Sequence, residues 1–279
     1  MWSRQWRFLW PPTLLVAVLL LAWQGVAALS VRNPQVLPTP GAVLSAGWGQ
    51  RTVLWQNTMT TLRETLLGFA LSLVVSWLLA TAMDFSGPIR RAVYPLLVVS
   101  QTLPIIVIAP VFVIWFGFGL MPKLLLVALA TFFPLAASLS AGFAAADGDA
   151  MRLLRSMGAS RWQAFVKVRV PGALPYFFTG LRVAITYAVG GAVFAEYAGS
   201  INGLGIYIQQ MQDGFRTDLV FASVAVIALL SVALFASTFV LERMVTPWRR
   251  HDSAQNSTRN SDRSSTRDSE RKGQHEWRR

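Results

Sequence analysis

The chain has 279 residues, of which 54% are hydrophobic and only 14% charged, where a soluble domain carries about 25% charged residues. The charges fall between long apolar stretches, which excludes an ordinary soluble domain and predicts an all-α integral membrane protein. The net charge of +12 would suit nucleic acid, but the basic residues lie in short loops and the tail, so no nucleic-acid partner is expected.

Six apolar segments follow one another at about residues 10–29, 66–83, 92–116, 124–143, 177–195 and 219–241. Each approaches or exceeds the ~20 residues that cross a ~30 Å hydrocarbon core as a helix. Inside that core every backbone N–H and C=O must pair internally, which helices achieve and isolated strands do not. About six transmembrane helices are therefore predicted.

In the first segment, Arg4 and Arg7, a Leu/Val run and Ala27-Ala28-Leu29-Ser30 also fit a cleavable signal peptide. The run is long for a signal core, and Pro11 and Pro12 suit the first turn of a retained helix, where a missing N–H costs nothing. The third and fourth segments carry Pro95, Pro104, Pro110 and Pro134, each of which removes a hydrogen bond and kinks the axis. Two readings stand: ordinary membrane-helix geometry, or a bent helix lining a cavity. On the second reading Gln101, close to Pro104, is a pathway candidate.

Counting Lys and Arg sets the orientation. With a cytoplasmic N-terminus, the inside holds Arg4, Arg7, Arg90, Arg91, Arg152, Arg155, Arg161, Lys167, Arg169 and the basic segment from Arg243 onward. The outside holds Arg32, Arg51, Arg63, Lys123 and Arg216. The positive-inside rule then places both termini in the cytoplasm. From Ser253 the composition falls to Ser, Thr, Asn, Arg and Asp, which cannot bury a core. Arg259, Arg263, Arg267 and Arg271 recur every four residues there, as a solvated tail or, less simply, a basic stripe on a membrane surface. The expected division is 1–55, an N-terminal helix and outer loop; 56–250, the transmembrane core; and 251–279, a disordered cytoplasmic tail.

The cytoplasmic stretch 147–176 is long for a loop but not disordered in composition. Leu153, Leu154 and Met157 stand at helical spacing, with Asp147 or Asp149 able to cap the start and Gly158 the end. A second amphipathic piece carries Trp162, Phe165, Val166 and Val168, and Pro171 and Pro175 are expected to stop it. The exposed ridge of the first piece needs a cover, either lipid headgroups or a cytosolic partner.

Met157-Gly158-Ala159-Ser160-Arg161-Trp162-Gln163-Ala164-Phe165, followed by Val168-x-Val170-Pro171, resembles the cytoplasmic loop of binding-protein-dependent ABC importer permeases. That loop reads Glu-Ala-Ala, three residues, Gly, nine residues, then hydrophobic–x–hydrophobic–Pro. Gly158, Val168, Val170 and Pro171 fall at those spacings, whereas Arg152, Leu153 and Leu154 replace the opening Glu-Ala-Ala. The likeness runs over roughly residues 55–245. It implies a coupling helix between the fourth and fifth spans that docks a separate ATP-binding cassette subunit. Leu153, Leu154, Met157, Gly158, Ala159, Ser160 and Pro171 would be its coupling residues. The chain has no Gly-x-x-x-x-Gly-Lys-Ser/Thr phosphate loop, so it cannot itself bind ATP that way.

In the fifth segment Gly180, Ala184, Ala188 and Ala192 recur every four residues, with Gly190 and Gly191 beside them, and small residues let membrane helices approach. Each four-residue step drifts by about 40°, so Glu196 should share a face only with the outer half of that stripe. Arg182 and Glu196 flank the span, either snorkelling to an interface or serving the pathway. The resemblance pairs an Ala-Glu here with a following Gly-Leu-Gly, matched by Ala195-Glu196 and Gly203-Leu204-Gly205. Gating and solute contact are both open roles for Glu196; Arg182, Gln101 and Gly190 complete the pathway candidates.

Phe215-x-Thr217-Asp218-x-Val220-Phe221-Ala222 resembles the nitrate/sulfonate/taurine branch, and within it permeases for thiamine pyrimidine precursors. The resemblance implies a permease in the bacterial plasma (inner) membrane, importing a small organic solute. Its partners would be a second copy of the chain, ATP-binding cassette subunits, an extracytoplasmic solute-binding protein and the lipid bilayer. An ion-coupled carrier would need more ionisable groups inside the spans, where Glu196 is the one acid expected. A membrane enzyme would need paired carboxylates, a histidine or a nucleophile–base pair, none of which the spans are expected to supply. No catalytic residue, metal or cofactor is expected: the chain has no cysteine, and His251 and His275 both lie in the tail.

Overall fold

The computed structural model describes residues 2–29 and 37–245, and these are helical apart from short connections. In chain order they form α1 (Trp2–Leu29), α2 (Pro40–Gly49), α3 (Arg51–Phe85), α4 (Gly87–Thr102), α5 (Ile105–Phe116) and α6 (Leu120–Ala144). Then come α7 (Gly148–Ser156), α8 (Arg161–Ala164), a π-helical turn (Phe165–Arg169), α9 (Val170–Tyr197), α10 (Leu204–Asp213) and α11 (Thr217–Val245). The chain divides into two compact units, Met1–Phe235 and Ala236–Arg279. The first holds the helical core; the described part of the second is residues 236–245, the end of α11. The expected disordered tail lies outside the described residues.

Among the described residues four helices are long and apolar enough to cross a membrane: α3, α6, the run Arg161–Tyr197 and α11. In α1 the apolar stretch is Leu14–Ala28. The third expected span is not one helix. It breaks into α4 and α5, which meet at 105°. Pro104 is the cause: its ring pushes Leu103 out of helical geometry to φ −79° and ψ 119°. The chain restarts with Pro104 as the N-cap of α5. Pro95 and Pro110, one on each side, are absorbed within their helices.

Pro171 and Pro175 do not stop the second amphipathic piece. Helical backbone runs unbroken through α8, the π turn and α9. At the π turn the Val170 N–H reaches back five residues to the Phe165 carbonyl, which lets Pro171 enter at the start of α9. The extra residue re-registers the helix where Pro171 has no N–H to give.

The core is α6 flanked by α3 and α9. The small-residue stripe of α9 is what permits it: Ala184, Ala188 and Ala192 are fully buried. A Cβ added at Gly180 would come within 2.5 Å of Ser138 Cβ and 2.9 Å of the Pro134 carbonyl, so the two backbones nearly touch. α3 shows the same logic. Thr58, Thr61, Thr65, Gly68, Ser72 and Ser76 form its buried face, while Leu66, Leu67, Val74 and Leu78 are exposed. Without water to drive apolar burial, close backbone approach and hydrogen bonding select the interior face.

The threonines on that face close local bonds, whereas Ser76 donates across to the Phe132 carbonyl of α6 at 3.2 Å and Ser72 Oγ is buried without a partner. Thr58 donates to the Leu54 carbonyl at 2.6 Å and Thr65 to the Thr61 carbonyl at 2.7 Å. Beside this core, Trp23 of α1 packs on Phe221 of α11 and donates its indole N–H to the Pro38 carbonyl at 3.1 Å. A retained α1 is thus joined to the cluster of Val43, Leu54, Leu204, Tyr207 and Ala222.

Candidate functional site

Two constructed regions lie at opposite ends of the bundle. The first gathers the start of α3, the start of α6, the end of α9 and the turn into α10. Glu196, next to last in α9, is fully buried, with 0% of its surface exposed. Its Oε1 accepts the Thr61 hydroxyl at 2.6 Å, and its Oε2 accepts the Gly205 N–H at 2.5 Å. Thr61 in turn accepts the Leu204 N–H at 2.9 Å, and Asn57 Oδ1 accepts the Gly203 N–H at 2.8 Å.

The Gly-Leu-Gly sequence follows from this wrapping. Gly203 has φ +129°, and a Cβ there would fall inside the Glu196 carboxyl group. A Cβ on Gly205 would meet the Val193 carbonyl and, at 2.9 Å, Glu196 Oε2. Leu204 between them points into the core and is fully buried.

A second layer adjoins the first. Lys123, 8% exposed, donates to Glu64 Oε1 at 2.5 Å and to Ser200 Oγ at 2.6 Å. Ser200 donates its own hydroxyl to the Asn202 carbonyl at 2.5 Å. Glu64 Oε2 is buried without a hydrogen bond. The ammonium of Lys123 acts on both carboxyls, and the two carboxyls act on each other.

These residues correct several expectations. Lys123 is not a loop residue but sits in the first turns of α6. Glu64 lies inside α3, which begins well ahead of the expected second segment. Glu196 is therefore not the one acid within the spans, and the spans do bring two carboxyls together. The signal was present at small-residue spacing: Thr61, Thr65, Gly68 and Ser72 extend the buried face of α3 down to Glu64.

As built, the knot staples the turn 198–203 to α3 and α6. Both oxygens of Glu196 are taken by the protein. The predicted angular drift of α9 is realised: Gly180 faces Pro134 and Ser138 of α6, whereas Glu196 reaches Thr61 of α3. Arg182 is half-buried some 14 residues earlier, about 21 Å down the helix axis, so it is not part of this site. Gln101 is exposed at the end of α4, and Gly190 is half-buried with open space where a Cβ would stand.

The second region is α7 and its sequel. Asp147 caps α7, accepting from Asp149 N at 2.9 Å and Ala150 N at 3.4 Å. At the other end Gly158, φ +81°, donates to the Arg155 carbonyl, and Ala159 donates to the Leu154 carbonyl. A capping box of Ser160 and Gln163 starts α8 immediately afterwards. Both caps are thus where the sequence placed them.

This tight corner presents Leu153 and Met157, 62% and 74% exposed, on one ridge. Leu154 and Ala159 are half-buried; Gly158, Ser160 and Pro171 are exposed. Phe165 anchors the corner, packing on Phe85, Phe143 and Trp162 at 5.1–5.6 Å between ring centres. Arg169 pairs with Asp84 at the end of α3. Among the described residues no cluster of His, Cys, Asp and Glu could hold a metal.

A bundle of long apolar helices joined by small-residue contacts, with a capped polar corner at one end, is the build of a helical membrane protein. Residues 72–251 match the family described as binding-protein-dependent transport system inner membrane component. The chain is 36% identical over 240 residues to the formylaminopyrimidine transport permease protein ThiX of Halalkalibacterium halodurans, covering 86% of this chain and 96% of that protein. It is 34% identical over 261 residues to the taurine transport system permease protein TauC of Escherichia coli, covering 88% and 94%.

A solved amino acid ABC transporter shares the fold with a TM-score of 0.60 at 16% identity, covering 72% of this chain and 97% of that one. The MetNI methionine ABC transporter does so at 0.58 and 19%, covering 72% and 98%. The chain belongs to the binding-protein-dependent inner membrane components, in the nitrate/sulfonate/taurine branch, and is a permease component of an ABC importer.

Proposed function

We propose that two copies of this chain form the pathway of an ATP-driven importer for a small organic solute, with a formylated or related pyrimidine of the thiamine-precursor type as cargo. The α7 corner is the coupling element. Leu153 and Met157 are apolar, exposed and rigidly held, and a groove on an ATP-binding subunit would cover them. That exposed ridge, capped at both ends, is the observation that carries the reading. An extracytoplasmic binding protein delivers the solute at the opposite end, and both termini face the cytoplasm. The 36% identity to the formylaminopyrimidine permease favours a pyrimidine over a sulfonate, nitrate or taurine, though TauC follows closely at 34%.

Uptake by cells producing the intact transporter tests the cargo. Labelled formylaminopyrimidine should accumulate, and excess taurine should not compete. Taurine uptake indifferent to formylaminopyrimidine would overturn the cargo while leaving the permease role. Gly158→Leu tests the coupling. Its φ of +81° strains any L side chain, and the side chain would project from the docking face. Uptake should fall at least tenfold while membrane insertion stays normal; unchanged uptake would remove α7 from the coupling role.

A further inference from the structure

We propose that the arginine-rich end of the bundle holds a binding site for the phosphate head group of an anionic phospholipid. Two adjoining cavities of about 320 and 340 Å³ open beside Phe143, Ala144 and Arg169, which line both. Each falls at the small end of the size range of ligand sites, ~300–1,000 Å³. Arg90 lines the first, and Arg152 and Arg155 line the second.

The charges around the cavities do not balance. Asp84 pairs with Arg169, and Asp149 pairs with Arg152. Among the described residues Arg90 and Arg155 have no acidic partner, and Arg169 keeps its Nε–H buried and without an acceptor. The site thus has two uncompensated guanidinium groups and one orphaned donor. A phosphodiester supplies what is missing, since guanidinium forks bind phosphate oxygens in pairs.

The position selects a lipid as the source. The cavities lie where α3 and α6 end and α4 and α9 begin, at the depth where a spanning helix meets head groups. Basic pockets between spans at that depth bind anionic head groups. α4, which carries Arg90, also exposes Ile89 and Leu96 on one flank, an apolar wall along which acyl chains would continue.

Arg152 and Arg155 share α7 with the Leu153–Met157 ridge, but Arg155 lies about 160° round the helix from Leu153 and Met157, on the side that lines the cavity. Two uncompensated arginines suit a dianionic head group such as cardiolipin.

The test uses the purified full-length chain in neutral detergent, with lipid retention read by native mass spectrometry and thermal unfolding followed in parallel. Cardiolipin should remain bound and raise the unfolding midpoint; phosphatidylcholine and inorganic phosphate at equal phosphorus should do neither. The Arg90→Gln/Arg155→Gln double variant should bind cardiolipin roughly 30-fold more weakly, as two lost basic contacts imply. Arg63→Gln, an exposed charge near the other end of α3, should bind it normally and report on general charge effects. Equal retention of phosphatidylcholine and cardiolipin would overturn the proposal. So would stabilisation by phosphate alone, cardiolipin binding unchanged in the double variant, or binding that appears only with an ATP-binding subunit present.

Discussion

Replacing Lys123 by Met should destabilise the protein by about 3–5 kcal/mol, the penalty for leaving one member of a buried ion pair uncompensated. The side chains of Lys123 and Glu64 are 11% and 5% exposed, so water cannot step in. Without the ammonium, Glu64 loses its hydrogen-bonded cation, and the positive charge that offsets both carboxyls is gone. Ser200 loses the donor that holds the turn 198–203 to α6. In detergent the unfolding midpoint should drop by roughly 10 °C.

Adding Glu64→Gln to Lys123→Met removes the second charge and should restore more than half of the loss, since a neutral pair avoids the buried-charge penalty. A single variant that melts like the wild type, or a double variant worse than the single, would show that the pair does not hold this end of the bundle.

Gly203→Ala should be nearly as damaging, by about 3–5 kcal/mol, although it adds one methyl group. Two effects combine. A φ of +129° is strained for any L side chain, and strain of this kind costs roughly 1–3 kcal/mol. The new Cβ also occupies the place of the Glu196 carboxyl, which must leave Thr61 and the Gly205 N–H. A buried N–H left unpaired costs about 1–3 kcal/mol more. Gly214→Ala is the control: its nearest neighbour would be a carbonyl oxygen at 3.4 Å, and it should be close to neutral. Thermal unfolding of both variants, with uptake measured alongside, checks the contrast. Equal melting of the two would refute the wrapped-carboxylate account.

The two ends of the molecule differ in how far they could be read in advance. The α7 corner is local. Asp147, Gly158 and the Ser160/Gln163 box act on backbone groups within five residues, so their spacing in the chain is their geometry. The polar knot is not local. Thr61 and Glu196 are 135 residues apart in the chain, and Lys123 and Glu64 are 59 apart. Glu64 also fell before the apolar run that marked the second span, because the turns of α3 around it bury Thr58, Thr61 and Thr65 rather than large apolar side chains.

The break at Pro104 shows a third case. The sequence contains the proline, but Pro95 and Pro110 have the same chemistry and do not break their helices. Pro171 likewise enters α9 because a π turn precedes it, an adjustment no propensity of Pro171 encodes.

By itself, then, the sequence determined the membrane class, the small-residue seam of α9, the caps of α7 and the family likeness, because each depends on composition or on neighbours within a helical turn or two. Only the tertiary structure decided that Lys123 is buried against Glu64, that Thr61 reaches Glu196, and that the third segment folds as two helices at 105°. Those outcomes depend on which helix faces which. In a bilayer, small side chains and polar contacts make that choice, and the hydrophobicity that marks the spans does not distinguish one face from another.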